Sequence, residues 1–379
     1  MLDPLGGTDA HDVLALFRAH GALTRAEVMQ RSGLSRSTVN QRLSALERAG
    51  LIEGVGGAES TGGRPSTRFD LVPGRARILV VDIGASGFVA AVCDLAGRVL
   101  ADDAVQVAVW DGPERVLGLV QEAFARLPVD GELWSVAIAV PGPVEFAAGR
   151  VVKPPIMTGW DGFDIAGWLG ARYGVPIVVE NDANARSVAE ARSRGVGDLI
   201  AVKLGTGIGA GLVSNGAIIR GDRGAAGDIG HTRATQAGDA ADARQCRCGN
   251  VGCVEAYGGG WAIMRDLEEA GIEVAHVSDV ARLVAQGDLE ALRLVRAAGR
   301  VIGDAIASLV SVLNPNTVAL SGQLAECGEV IMSGIRERVH QRASPLATSG
   351  LVIERSSLGG HAGVTGLAII AVDGLLARR

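Results

Sequence analysis

Two look-alike segments restrict the fold of this chain more than any other feature. "RILVVDIGASGFVAAVCDL" is an apolar run, a small-residue turn and a second apolar run; "DLIAVKLGTGIGAGLVSNG" repeats that layout further on. Apolar runs of strand length on either side of a glycine turn read as hairpins whose strands are buried on both faces. Each hairpin lies within an alternation of strand and helix patterns. Two similar α/β halves around a cleft are therefore expected. The length of 379 residues accommodates two or three domains, and 48% apolar against 21% charged residues supplies the cores.

Pro73 and Gly74 mark a boundary before the first hairpin. Beyond it come a strand "GRVLADDAVQV", a helix near 113–127, strands "LWSVAIAVPGPV" and "PIVVE", and a helix "DANARSVAEARSRG". Long helices are expected at about 259–271 and 289–313, then a strand "TVALSG". The last helix, "AGVTGLAIIAVDGLLARR", should pack back onto a sheet. This divides the chain into 1–72, 73–200 with 363–379 returning to it, and 201–362.

The first unit has a different character. "DAHDVLALFRAH" carries Val13, Leu14, Leu16 and Phe17 at helical spacing. Thr24 with Glu27 forms a capping-box pattern, Gly33 makes a turn, and Ser35 starts a third helix with Val39, Leu43 and Leu46 on one face. Helix, helix, tight turn, helix, followed by two strands around a polar loop, is the winged helix-turn-helix layout. The opposite face of the third helix presents Ser35, Arg36, Ser37, Asn40, Gln41 and Ser44, a set able to read guanine and adenine edges. Arg64, in the loop "GGRPS", has the character of a minor-groove arginine. Residues 25–48 hold five Arg against two Glu, although the whole chain carries a net charge of −6. Double-stranded DNA is the expected partner; a helical protein-interaction module is the alternative.

The N-terminus lacks a signal-peptide layout and no run reads convincingly as a membrane span, so a cytoplasmic, nucleoid-associated protein is expected, with no membrane partner. "CRCGNVGC" places Cys246, Cys248 and Cys253 at a C-x-C-x4-C spacing, with glycines that allow tight turns. In a reducing compartment that cluster points to metal. Zinc takes four ligands, and His231 is the nearest histidine. One structural Zn2+ per chain is expected; a free-thiol or redox cluster is the alternative. Cys93 and Cys327 sit in apolar surroundings and read as core residues.

"VVENDANA" ends an apolar strand with Asn181 and Asp182 before a helix, where open α/β sheets hold ligands. The pair can hold adjacent sugar hydroxyls, and Asp182 can serve as a general base; capping the following helix is the competing role. Asp228, His231 and Glu255 flank or join the cysteine cluster, so zinc can brace a second polar wall. A cleft rich in carboxylates with few basic groups suits a neutral polyol better than a phosphate.

Taken in order, "DIGASGF", "VPGPVEFAAGRVVKPP", "ENDANARSVAE", "LGTGIGAGLVSNG", "GAAGDIGH" and "CRCGNVGCVEAYG" resemble the ROK family of repressors and bacterial sugar kinases over nearly the whole chain. The resemblance implies a two-lobed actin/hexokinase-like (ribonuclease H-like) α/β domain, with sugar in the cleft and zinc on one wall. It also implies dimers or tetramers. By position, Asn181, Asp182, Asp228, His231 and Glu255 would bind the sugar, and His231, Cys246, Cys248 and Cys253 the metal. Asp82, Gly84, Ser86, Gly205, Thr206, Gly207 and Gly322 would mark the nucleotide half, and Asp182 the kinase base.

Three departures bear on activity. Asp228 stands where the family has Glu. The first phosphate loop lacks its second Gly and its Thr-Lys or Thr-Asn pair. Ser321 replaces the first Gly of a "G-G" turn. A Cβ where backbone should approach phosphate obstructs it, so loss of ATP binding is expected. The expectation is a sugar-responsive transcriptional regulator, a repressor, without active catalytic residues. The alternative is an ATP-dependent sugar kinase that also binds DNA.

Overall fold

The computed structural model describes residues 10–57, 66–239 and 243–377. The head comprises helix α1 (His11–His20), strand β1 (Leu23–Thr24), α2 (Arg25–Ser32), α3 (Arg36–Arg48), β2 (Ile52–Gly57) and β3 (Thr67–Leu71). Thr24 caps α2 reciprocally: its Oγ1 accepts from Glu27 N at 3.3 Å, and Glu27 Oε2 accepts from Thr24 N at 2.7 Å. Ser35 Oγ accepts from Thr38 N at 3.2 Å and starts α3. Val39, Leu43 and Leu46 face inward against Val13, Leu14 and Phe17. The strands form a sheet in the order β1-β3-β2, the body of a wing. Arg64 lies outside the described residues.

Lobe one follows, with β4 (Ala76–Ile83), β5 (Gly87–Cys93), β6 (Val99–Gln106), α4 (Pro113–Arg126) and β7 (Glu132–Val140). A small hairpin, β8 (Val144–Glu145) and β9 (Arg150–Val151), leads to α5 (Ile165–Tyr173), β10 (Ile177–Asn181) and α6 (Asp182–Arg194). Lobe two starts with β11 (Leu199–Leu204), β12 (Ile208–Ser214) and β13 (Ala217–Ile218). Its helices are α7 (Glu255–Gly258), α8 (Gly260–Glu269), α9 (Val277–Ala285) and α10 (Leu289–Leu313). The chain closes with β14 (Thr317–Ser321), α11 (Glu329–Arg342), α12 (Pro345–Thr348), β15 (Val352–Arg355) and α13 (Ala362–Ala377).

The two sheets share one plan. Lobe one is ordered β10-β7-β4-β5-β6 and lobe two β13-β12-β11-β14-β15. In each, the glycine-turn hairpin pairs antiparallel, and its first strand pairs parallel with a later strand. The halves expected from the repeated hairpins are therefore related in topology.

Helix α6 belongs to both halves. It packs on β11 and β12 of lobe two and on α13, which lies across β4 and β7 of lobe one. A Cβ on Gly366 of α13 would meet the Ala185 carbonyl of α6 at 1.7 Å, so only glycine lets these backbones meet. The window Gly359–Leu376 has a mean hydropathy of 1.4, enough for a membrane span by composition, but 67% of it is buried. It is a core helix.

The head is joined to lobe one through a shared core. Val13, Leu14 and Phe17 of α1 cluster with Val364, Leu367, Ala371 and Leu375 of α13 and with Ile78 of β4. Burying each large side chain contributes about 1.5–3 kcal/mol. The polar tether, Arg75 to Ala49 O (3.0 Å) and Glu132 Oε2 (2.8 Å), involves half-exposed side chains and adds about 0.2–1 kcal/mol. Apolar packing is what holds the head.

Candidate functional site: a two-walled cleft with a cysteine–histidine cluster

A cavity of about 590 Å³ runs between the lobes, lined by the carboxyl ends of β4, β7, β10, β11 and β14 and by the turns of both hairpins. Asn181 is the N-cap of α6. Its Oδ1 accepts from Ala183 N (2.9 Å) and Asn184 N (3.2 Å), and its Nδ2 donates to Gly142 O at 3.0 Å. Asn181, rather than Asp182, thus does the capping, which leaves Asp182 on the first turn facing the cleft.

Asp182 is buried, and its Oδ2 accepts from the ammonium of Lys203 on β11. One helical turn further on, Arg186 donates to Asp82 Oδ2 at the end of β4. Burial pushes the Asp82 carboxyl up from its ordinary value while Arg186 and Lys203 pull it down. The cleft floor therefore holds two carboxylates and two cations. This corrects the sequence expectation of a cleft with few basic groups. Both cations had a signal: Arg186 follows Asp182 at the i+4 spacing of one helix face, and Lys203 stands two residues before Gly205 of the second glycine turn.

Glu255, at the start of α7, braces that turn. Its Oε2 accepts from Ile208 N at 2.9 Å and its Oε1 from Trp261 Nε1 at 3.1 Å. A Cβ on Gly207 would meet Oε2 at 2.4 Å, so the glycine is demanded by this contact. Gly322, at φ +92°, likewise lies against the Leu204 carbonyl, 2.4 Å from where a Cβ would stand. Asp82, Gly84, Ser86, Gly205, Thr206, Gly207 and Gly322 all line the same cleft as Asp182, Asp228, His231 and Glu255. Arg220, which follows β13, donates from Nε to Glu180 Oε2 at 2.7 Å and lies 4.0 Å over the Phe146 ring. This ties lobe two to lobe one beside Asn181.

His231 reaches both walls of that region. Its Nδ1 is 3.7 Å from Cys246 Sγ, and its Nε2 is 4.0 Å from Asp228 Oδ1. Cys248 Sγ and Cys253 Sγ are 3.7 Å apart, and all four ligand atoms lie within 4.8 Å of one another. A tetrahedral ion with metal–sulfur bonds of about 2.3 Å separates its ligand atoms by about 3.8 Å, so the spacing fits. Burial pushes the Cys246 and Cys253 thiols up, which favours the protonated forms; a divalent cation at the centre would stabilise the thiolates. The cluster can hold a metal. Burial also pushes the Asp228 carboxyl up, with His231 opposing.

In the head, Ser35, Arg36, Ser37, Asn40, Gln41 and Ser44 are exposed along α3, with Ser35 also serving as its cap. Cys93 and Cys327 are buried, as expected of core thiols; burial pushes them to about 12 and about 11.

Comparison with known proteins accords with both parts. Residues 78–373 match the model of the ROK family, and residues 11–53 match that of the winged helix-turn-helix DNA-binding family. A xylose repressor of Bacillus spizizenii is 25% identical, covering 93% of this chain and 92% of its own. A crystal structure of a ROK family transcriptional regulator, a homologue of the Escherichia coli MLC protein, superposes with TM-score 0.80 at 25% identity, over 97% of each chain. A ROK family glucokinase from Streptomyces griseus, solved with glucose and AMPPNP, superposes with TM-score 0.66 at 27% identity. It covers 78% of this chain and 99% of its own.

Proposed function

The chain belongs to the ROK family, and on that premise we propose that it is a sugar-responsive DNA-binding transcriptional regulator, a repressor, whose kinase-like cleft serves as a sensor. One observation carries the reading: a single helix serves both ends. Asp182 and Arg186 sit on the cleft end of α6, and Arg192 on its last turn reaches the head, donating to Arg18 O at 3.0 Å. Thirteen helical residues span about 20 Å, so a tilt of α6 between the lobes is felt at the head.

Sugar would be held by Asn181, Asp182, Asp228, His231 and Glu255. The head would dock α3 in the major groove through Arg36, Asn40 and Gln41, with Arg64 in the minor groove. A homodimer or tetramer would set two heads on a palindromic operator, and sugar would change their spacing. Moving such an equilibrium from 1:99 to 99:1 needs about 5.5 kcal/mol of differential sugar affinity. Zinc, one per chain, would be held by His231, Cys246, Cys248 and Cys253, stiffening the wall that carries Asp228. Cytoplasmic location follows from the DNA partner.

Loss of phosphotransfer is supported by the ion pairs. The Asp82 carboxylate, on the nucleotide side, is engaged by Arg186, and Asp182, in the position of the kinase base, by Lys203. Ala85 and Ser321 add Cβ atoms where the family has glycine. The test is binding to DNA upstream of the protein's own gene, across salt concentrations, with and without a sugar panel. Absence of sequence-selective binding would sink the proposal.

The intact Gly205–Thr206–Gly207 turn beside Asp182 favours the second reading, an active sugar kinase. ADP release with any sugar, abolished by Asp182→Asn, would establish it.

A further inference from the structure

We propose that Lys203 is a specificity-determining residue of the cleft: with Asp182 it forms a donor–acceptor pair that reads one hydroxyl, and the effector is a neutral, unphosphorylated sugar. The inference rests on the reading of the cleft as a sugar site. An ammonium has three donors, and Asp182 Oδ2 accepts one of them. Lys203 lines the cleft with its side chain 21% exposed, so the remaining donors are available to a ligand. Asp182 keeps Oδ1, which accepts from no described side chain and is not among the fully buried orphan atoms. The pair therefore offers a donor and an acceptor side by side.

A hydroxyl is the neutral group that matches, because it accepts and donates through one oxygen. A phosphate monoester at that position accepts only. It would also face Asp182 with Glu255 and Asp228 on the same cleft, while Arg186 is already committed to Asp82. Repulsion from these carboxylates disfavours a phosphate dianion and leaves a neutral hydroxyl unaffected.

The choice of lysine carries information as well. Of 36 basic residues only Lys153 and Lys203 are lysines. A guanidinium at 203 would fork onto both oxygens of Asp182 and leave none for a ligand, whereas an ammonium engages one.

The test is calorimetric titration of the full-length protein, with wild type, Lys203→Met and Lys203→Arg compared. Probes are D-xylose, D-glucose, N-acetyl-D-glucosamine, the 6-phosphates of the two hexoses, and the monodeoxy analogues of whichever sugar binds. We expect a neutral sugar to bind at least tenfold more tightly than its 6-phosphate, or, for xylose, than either hexose phosphate. Both variants should lose at least tenfold in affinity, and that loss should vanish for one deoxy analogue. Thermal melting and DNA binding verify that each variant is folded. A phosphorylated sugar binding more tightly than its parent overturns the inference, as does unchanged affinity in Lys203→Met, and both leave the sensor reading intact. Failure of every sugar to bind wild type refutes the sensor reading, and this inference with it.

Discussion

Arg192, near the end of α6, donates through Nη1 to the main-chain carbonyl of Arg18 in α1 at 3.0 Å, across the joint between head and body. Arg18 is itself buried and pairs with Asp373 of α13, so three helices meet at one polar knot. The apolar core around it holds the head, and on the proposed reading the knot would pass a movement of α6 on to the head.

Arg192→Ala should therefore leave DNA affinity without sugar, and sugar affinity without DNA, within about threefold of wild type. The coupling between them should collapse. Linkage requires the same factor whether sugar is titrated against DNA or the reverse, so both titrations measure it. Undiminished coupling would place the relay elsewhere.

Gly366→Ala forces a methyl into the Ala185 carbonyl of α6 and should destabilise the protein by about 1–3 kcal/mol, through displacement of α6 from α13. Gly374→Ala, on the same helix with nothing within 4 Å of the new methyl, should be neutral or stabilise by up to about 1 kcal/mol. Denaturant unfolding of the two variants gives the comparison.

Metal analysis should find about one zinc per chain, and Cys248→Ser should reduce it severely, since three ligands hold a structural zinc poorly. Melting temperature should fall with the variant and with chelator. A fully folded protein without zinc would contradict the assignment.

Asp304 on α10 is buried and accepts from Arg338 Nε at 2.6 Å and from Thr235 Oγ1, with Arg342 Nε at 3.1 Å. Burial acts to raise its carboxyl, but the hydrogen bonds from Arg338 and Thr235 together with the Arg338 and Arg342 charges outweigh it and hold the group below the ordinary value. Its folded value is depressed, so its contribution is complete above the unfolded value near 4 and is lost as pH falls below that. Asp304→Asn should cost about 2 kcal/mol at neutral pH, and much of the difference from wild type should disappear in acid unfolding below about pH 4.

Arg36→Ala, Asn40→Ala and Gln41→Ala should each weaken operator binding while leaving sugar binding unchanged. A base-reading contact costs about 1–3 kcal/mol and relaxes one operator position; a phosphate contact weakens all sequences alike and lowers the salt slope by about one unit. Equal loss on specific and random DNA would reassign the residue to the backbone.

Much of the site was legible in short-range pattern. The capping pair Thr24–Glu27, the inward face of Val39, Leu43 and Leu46, the two glycine hairpins and the cysteine spacing each depend on neighbours within a turn or two. Their geometry follows from local backbone rules, and the structure contains them as expected. Asn181 and Asp182 were harder. Either residue type can cap a helix, and only the hydrogen bonds show that Asn181 takes that role and frees its neighbour.

The sequence by itself determined the element types, the repeated α/β halves, the reading-head layout and the three-cysteine spacing, because periodicity and spacing impose these locally. Tertiary structure alone decided the ion pairing of the cleft floor, where Lys203 meets Asp182 and Arg186 meets Asp82 from separate strands and helices. It also decided that head and sensor share one core through α13. Those pairings join residues far apart in the chain, and their partners follow from the packing of α6 between two sheets, which no window of sequence contains.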